Sequence, residues 1–195
     1  MSVTPVIAVL ALELDQDSGR ELIELEKKKD WPGMLKLART LVQREPGRAN
    51  WWFLQGYALA RQGQHAEAIQ SFEKVVRITP EDERTWLSMG KSQSELGQSE
   101  RAIQTYKQAL RYRPESAEAY LALADVYRKQ AKLDLAIPNY RECVRYDADS
   151  IQGWYGLTLS YHLDRQRERR DEALQSLRKL APVLADEFEK QYPVR

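Results

Sequence analysis

Residues 46–80 read Pro46-Gly-Arg-Ala-Asn-Trp-Trp52-Phe-Leu-Gln-Gly56-Tyr-Ala-Leu59-Ala-Arg-Gln-Gly63-Gln-His-Ala-Glu-Ala68-Ile-Gln-Ser-Phe72-Glu-Lys-Val75-Val-Arg-Ile-Thr-Pro80. Trp52, Gly56 and Leu59 fall at i, i+4 and i+7, so they share one face of a helix. A large ring beside a glycine lets a second helix approach closely, with the ring covering the contact. Gly63 ends the first helix, because glycine accepts the left-handed conformation that a C-cap needs. Ala68, Phe72 and Val75 mark the buried stripe of a second helix. Pro80 ends that helix, since proline cannot continue an interior hydrogen-bond ladder. The stretch is a helix–turn–helix pair whose apolar faces need neighbours to be buried.

The same pattern recurs every 34 residues: Pro46, Pro80 and Pro114 are spaced so, and Trp52, Trp86, Tyr120 and Trp154 follow the same interval. Gly56, Gly90 and Ala124 form a third column, and Gly63, Gly97 and Ala131 a fourth. Ala68, Ala102 and Ala136, then Phe72, Tyr106 and Tyr140, complete six columns on one period. A fixed period of this length is the signature of a repeat architecture.

These residues resemble the tetratricopeptide repeat family: Trp, then a small residue, Gly in the turn, Ala and an aromatic in the second helix, Pro at the end. The resemblance implies an all-α, right-handed superhelical solenoid of about five helix–turn–helix repeats. Residues 49–82, 83–116 and 117–150 carry it most fully. Residues 15–48 keep Pro46 and place Met34 and Leu41 in the columns of Ala68 and Val75, with Leu22 replacing the small residue. Ser18 and Glu21 read as a capping box for their first helix, and Asp30-Trp31-Pro32 as a cap followed by proline. The last unit, 151–187, begins with Trp154, Leu157 and Tyr161. Its second helix fits with three residues inserted, which moves the small-residue column to Ala173. Residues 1–14 form an apolar N-terminal segment, Glu187 to Tyr192 read as a polar capping turn, and residues 188–195 form the C-terminal cap. Pro138 and Pro182 fall inside second helices, where kinks or early breaks are expected.

The totals narrow the function. Across 195 residues, 43% are hydrophobic and 30% charged, the balance of a folded, helix-rich chain. Thirty basic against 29 acidic residues give a formal charge of +1. No global field recruits nucleic acid or an anionic membrane. The apolar run Pro5–Leu12 has no basic residue before it, and Glu13 and Asp15 follow, which argues against a signal peptide. It is also about half the length a bilayer requires. The expected compartment is the cytoplasm.

Signals of chemistry are missing. His65 and His162 lie 97 residues apart without a ligand at metal spacing, so no metal or cofactor is expected. Cys143, the single cysteine, falls in the column of Val75 and Ala109, which predicts a buried and inert thiol. No phosphate loop, GxSxG or HExxH occurs, and the chain reads as a non-enzyme. The run Arg165-Gln-Arg-Glu-Arg-Arg170 reads as the exposed end of a lengthened helix, interrupted by Glu168 and followed by Asp171 and Glu172.

What is left is surface. The resemblance implies that first helices line a concave face. Opposite the packing stripe, one column reads Phe53, Leu87, Leu121, Tyr155, an apolar spine flanked by charges. The expected peptide-binding residues are Phe53, Leu54, Tyr57, Arg84, Leu87, Lys91, Leu121 and Tyr155, aromatics bordered by charge being typical of interfaces. The family's carboxylate clamp, built from Lys, Asn and Arg, is not rebuilt: its positions on the three strongest repeats hold Phe53, Tyr57, Ser88, Glu118 and Ala122. The sequence therefore reads as a protein–protein adaptor that binds a partner peptide or helix in its groove. The competing reading is a self-assembling scaffold, a homo-oligomer joined through the N-terminal segment or an apolar patch at Tyr155, Leu159 and Leu163.

Overall fold

The computed structural model describes residues 4–193, and within them every regular element is an α-helix. The first helices of successive pairs are α2 (Gln16–Lys28), α4 (Ala49–Arg61), α6 (Glu83–Glu95), α8 (Ala117–Lys129) and α10 (Ile151–Leu163). The second helices are α3 (Trp31–Arg44), α5 (His65–Ile78), α7 (Ser99–Tyr112), α9 (Leu133–Tyr146) and α11 (Arg167–Leu180). Two further helices flank these pairs, α1 (Pro5–Leu12) and α12 (Pro182–Gln191).

One backbone device sets the period. Lys29, Gly63, Gly97, Ala131 and Arg165, each 34 residues from the last, have φ of 53°, 78°, 72°, 57° and 60°. At each, the turn residue's N–H bonds the carbonyl three back, and the next N–H bonds the carbonyl five back. Gly63 to Ala60 and Gln64 to Leu59 are both 3.0 Å, and Arg165 to His162 and Gln166 to Tyr161 are 3.1 and 2.9 Å. These paired bonds satisfy the last carbonyls of a helix and reverse the chain. Non-glycine residues stand at three of the five, so the turn tolerates a side chain that faces water.

A second device ties three of the first helices, α4, α6 and α10, to the loops before them. The indole N–H of Trp52 donates to the carbonyl of Pro46 at 2.8 Å, that of Trp86 to Pro80 at 2.6 Å, and that of Trp154 to Ala148 at 2.8 Å. The rings themselves are half-buried. Caps add a third device: the hydroxyls of Ser116 and Ser150 accept N–H groups of Ala119 and Gly153 at 3.1 and 3.2 Å. Asp30 caps α3 through Gly33 at 2.9 Å, with Pro32 in its first turn, as expected. The cap of α2 is Asp15, bonded to the Ser18 N–H and hydroxyl at 2.9 and 2.8 Å, rather than the expected Ser18–Glu21 box.

The last repeat corrects the sequence reading. α11 starts 34 residues after α9 and has the same 14-residue length, so there is no three-residue insertion. The small-residue column therefore lands on Arg170, not Ala173. Pro182 falls in the column of Pro46, Pro80 and Pro114 and opens α12 instead of breaking a second helix. α9 runs unbroken through Pro138, which lies on an exposed face where water takes the carbonyl that proline leaves unbonded. Residues Glu187–Tyr192 belong to α12 and its C-cap, a helical end rather than a turn.

The chain divides into two compact units, one ending at Gln98 and the other beginning at Ser99. In the first, Leu22, Met34, Trp51, Leu54, Phe72 and Val75 form a core in which α4 packs against α3 and α5. The Phe72 ring lies directly over Gly56, so the aromatic and glycine columns are two halves of one contact. In the second, α8 packs on α9, α10 on α9 and α11, and α12 on α11. Tyr140, Leu157, Leu177 and Phe188 are all but inaccessible there.

The indole bond gives a test separable from packing. Trp86→Phe keeps most of the ring and is expected to cost about 1 kcal/mol for the lost hydrogen bond. Trp86→Ala should cost roughly 2–4 kcal/mol, below the full range for a large aromatic because the ring is half-buried. Urea unfolding of the three proteins measures both steps, and equal stabilities would show that neither the bond nor the ring contributes.

Candidate interaction surface

Within the first unit, α1 occupies the face of α2 and α4 opposite their packing stripe. The run Pro5–Leu12 is apolar on all sides, so it forms a stable helix only against other apolar surface. Ile7 and Leu10 are completely buried and join Phe53 and Leu54 in one core. At its C-terminal end, both carboxylate oxygens of Glu13 accept the Asn50 amide N–H groups at 2.7 and 2.8 Å, with Arg48 at 3.6 Å. At its N-terminal end, Thr4 lies beside the Tyr57 phenol.

Gly19 makes this seat possible. The 34-residue period puts Gly19 in the column of Phe53, Leu87, Leu121 and Tyr155, the spine predicted to face a ligand. A Cβ at Gly19 would come within 2.5 Å of the Ala11 carbonyl oxygen. Every other repeat carries a large side chain there. The first repeat carries none, and the backbone of α1 takes the space.

The seat changes the standing of the expected aromatic site. Phe53 and Leu54 are 2% and 0% exposed, so they are core residues of this unit and not open surface. Tyr57 is half-buried, stacks on Phe53 at 6.5 Å between ring centroids, and meets Trp31 edge-on at 6.2 Å. Its hydroxyl donates to Glu26 at 3.1 Å. Burial, then the Glu26 charge, pushes the Tyr57 phenol above its ordinary range. The Arg84 guanidinium lies 5.4 Å from the centre of the Phe53 ring and is held by Asp82 at 2.9 Å. Phe53, Tyr57 and Arg84 thus come together in one cluster, with Leu87 partly covered and Lys91 exposed further along α6. The angle of each residue around its helix was legible in the sequence. What covers that face was not, although a glycine interrupting an otherwise bulky column was the available signal.

In the second unit, Leu121 and Tyr155 are both partly covered. Tyr155 borders a cavity of about 380 Å³ with Gln152, Gly156, Asp125, Arg128 and Leu184. Arg128 donates to the Tyr140 hydroxyl at 2.9 Å and lies 3.5 Å from Asp125. Burial pushes the Tyr140 phenol well up, and Asp125 adds to the shift. The patch of Tyr155, Leu159 and Leu163 expected to pair two copies is instead closed by α12. Leu159 packs under Leu174, Leu177 and Phe188, and the Tyr155 ring meets Phe188 edge-on at 5.8 Å. Leu163 alone of the three is exposed.

Cys143 is 1% exposed, its sulfur 3.7 Å from the Ser150 hydroxyl, and burial raises its pKa. A thiol held protonated and covered is a poor nucleophile. Among the described residues, no helix is long and apolar enough to cross a membrane, and no cluster of three potential ligands is placed to hold a metal ion.

Comparison with known proteins agrees with this geometry. Three family models match: one described as tetratricopeptide repeat over residues 35–83, one as TPR repeat over 94–131, and one as tetratricopeptide repeat over 117–150. A search of curated protein sequences found no match. Among solved structures, the chain is similar to MamA, with a TM-score of 0.70 at 21% identity, covering 87% of this chain and 96% of that one. It is also similar to residues 41 to the end of MamA from Desulfovibrio magneticus RS-1, with a TM-score of 0.70 at 17% identity, covering 99% and 100%. YrrB, described as a TPR protein with an unusual peptide-binding site, gives a TM-score of 0.69 at 18% identity, covering 97% and 92%. The repeated turns, the indole bonds and the matched family models agree: this chain is a member of the tetratricopeptide repeat family.

Proposed function

We propose that the protein is an interaction adaptor whose first-helix face receives a short apolar segment of a partner polypeptide. One observation carries the reading: α1, an eight-residue apolar helix, is seated on that face of α2 and α4. The protein's own segment thus defines what the surface accepts. Two apolar residues three apart fill the core beside Phe53 and Leu54, and a carboxylate one turn beyond meets Asn50 and Arg48. The described binding of peptide by YrrB, which shares the fold, is consistent with this class of function.

Magnitudes favour a seat that can be vacated. Burying one Ile and one Leu side chain contributes about 3–6 kcal/mol. Ordering the backbone of an eight-residue segment costs about 1–2 kcal/mol per residue, and a helix this short is unstable alone. Those two side chains alone do not offset the ordering cost, so the docked helix also depends on its own hydrogen bonds, on buried Ala11 and on the Glu13–Asn50 contact, and the seat is weakly held. A partner segment with the same apolar spacing and a better-formed helix competes for the face. The second reading, assembly of copies, rests on α1 as well: Val9 and Leu12 are 52% and 86% exposed, so a docked α1 still presents apolar side chains outward.

Two experiments test the adaptor reading. A chain lacking residues 1–14 is expected to bind a fluorescent peptide of residues 4–14, measured by anisotropy, while the intact chain does not. Phe53→Ala with Tyr57→Ala should weaken that binding by several kcal/mol, as loss of buried aromatic anchors does. Equal binding by the intact and shortened chains would mean that the peptide sits elsewhere. Separately, Gly19→Val should drive α1 off its seat. A loss of about 2 kcal/mol corresponds to a fall in Tm of about 4–8 °C for a chain of this size. Hydrogen exchange should quicken in α1, while Gly47→Ala, in open space, leaves both readouts unchanged. Light scattering separates the assembly reading: a concentration-independent monomer excludes it.

A further inference from the structure

Arg170 and Arg165 stand where the three middle repeats carry small residues and the first repeat carries Met34 and Lys29. Arg170 occupies the column of Ala68, Ala102 and Ala136, and Arg165 the turn column of Gly63, Gly97 and Ala131. Arg170 is 6% exposed, with its Nε 2.8 Å from Asp171, whose own side chain is half-exposed. Nε and one terminal nitrogen both donate to that carboxylate, so the buried guanidinium has an anionic neighbour on one edge, and the same residue also lines a cavity. Departures from a local rule at one place in a regular fold point to function there.

The two arginines converge on a single cavity. About 680 Å³ in volume, it is walled by Arg165, Arg167 and Arg170, the rings of Tyr161, His162 and Tyr192, and the chain end of α12. None of its described lining residues is acidic. The His162 and Tyr192 rings lie 5.0 Å apart and form an aromatic wall against Phe188. Arginine is the residue best suited to oxyanions, because its planar donors bind two oxygens at once. The volume falls within the roughly 300–1,000 Å³ of sites for small organic ligands, so a bare phosphate would fill only part of it.

We infer that this cavity is a binding site for a small organic phosphate, its phosphoryl group held by Arg165, Arg167 and Arg170 and its body resting on Tyr192 and His162. The site is separate from the first-helix face, and neither reading depends on the other. The arginine run that reads in the sequence as a solvated helix end places three of its guanidinium-bearing residues along one open cavity, Arg170 among them with Asp171 at its side.

The columns supply their own test. Arg170→Ala and Arg165→Gly install what the three middle repeats carry, so both variants are expected to fold, Arg165→Gly with an unchanged Tm and Arg170→Ala with a lower one for the lost Asp171 pair. Phenyl phosphate, inorganic phosphate and phenol are titrated calorimetrically into the intact chain at low ionic strength. Phenyl phosphate is expected to bind, inorganic phosphate more weakly, and phenol not at all. Each variant should lose phenyl phosphate affinity by about tenfold or more, as loss of a charge-assisted contact predicts. Arg167→Gln, in the first turn of α11, gives the same reading if Arg170→Ala fails to fold. No binding by the parent, or undiminished binding by the folded variants, overturns the site. Equal affinity for phenyl phosphate and inorganic phosphate overturns the organic body.

Discussion

A helix pair in this fold has two flanks and can cover neither by itself. Within the first unit α4 lies against α3 and α5, and within the second α8 lies against α7 and α9 and α10 against α9 and α11, so apolar surface is buried by stacking. Every regularity of the chain serves that demand. The left-handed turn residue at each 34-residue step ends a first helix with the same pair of backbone bonds. The indole bonds of Trp52, Trp86 and Trp154 tie α4, α6 and α10 to the loops before them. Stacking also has ends, and the two ends of this chain are closed differently. α12 closes the last pair through Ala185 and Phe188. α1, by contrast, lies across the face of α2 and α4 opposite their packing stripe, which stacking alone would leave open.

That difference separates what the sequence discloses from what it conceals. The period was legible because columns such as Trp52, Trp86 and Trp154 record contacts that every pair repeats. Helical angle alone identified Phe53 and Tyr57 as opposite the packing stripe. It did not disclose that Phe53 and Leu54 are covered, because the covering helix comes from outside the repeat and follows no column. Gly19 was the visible trace, a missing side chain where Phe53, Leu87, Leu121 and Tyr155 are large.

The last repeat was misread for an instructive reason. Searching for a small residue in the column of Ala68 met Arg170, and sliding three residues to Ala173 restored the pattern. The backbone kept its period and accepted a buried arginine instead. Buried charge violates composition more readily than it violates geometry, since a long side chain can reach a carboxylate or a cavity from an unchanged helix position. Pro182 was misplaced by the same slide. Read on the true period, it stands beside Pro46, Pro80 and Pro114 and opens α12.

The seating of α1 also fixes an order of events during synthesis. Nearly all helix-closing bonds join residues within six positions, whereas Glu13 meets Asn50 across 37 residues. At about 5–20 residues per second, the ribosome takes roughly 2–7 s to supply that partner. Through that interval the most apolar segment of the chain has emerged while its seat is still unmade.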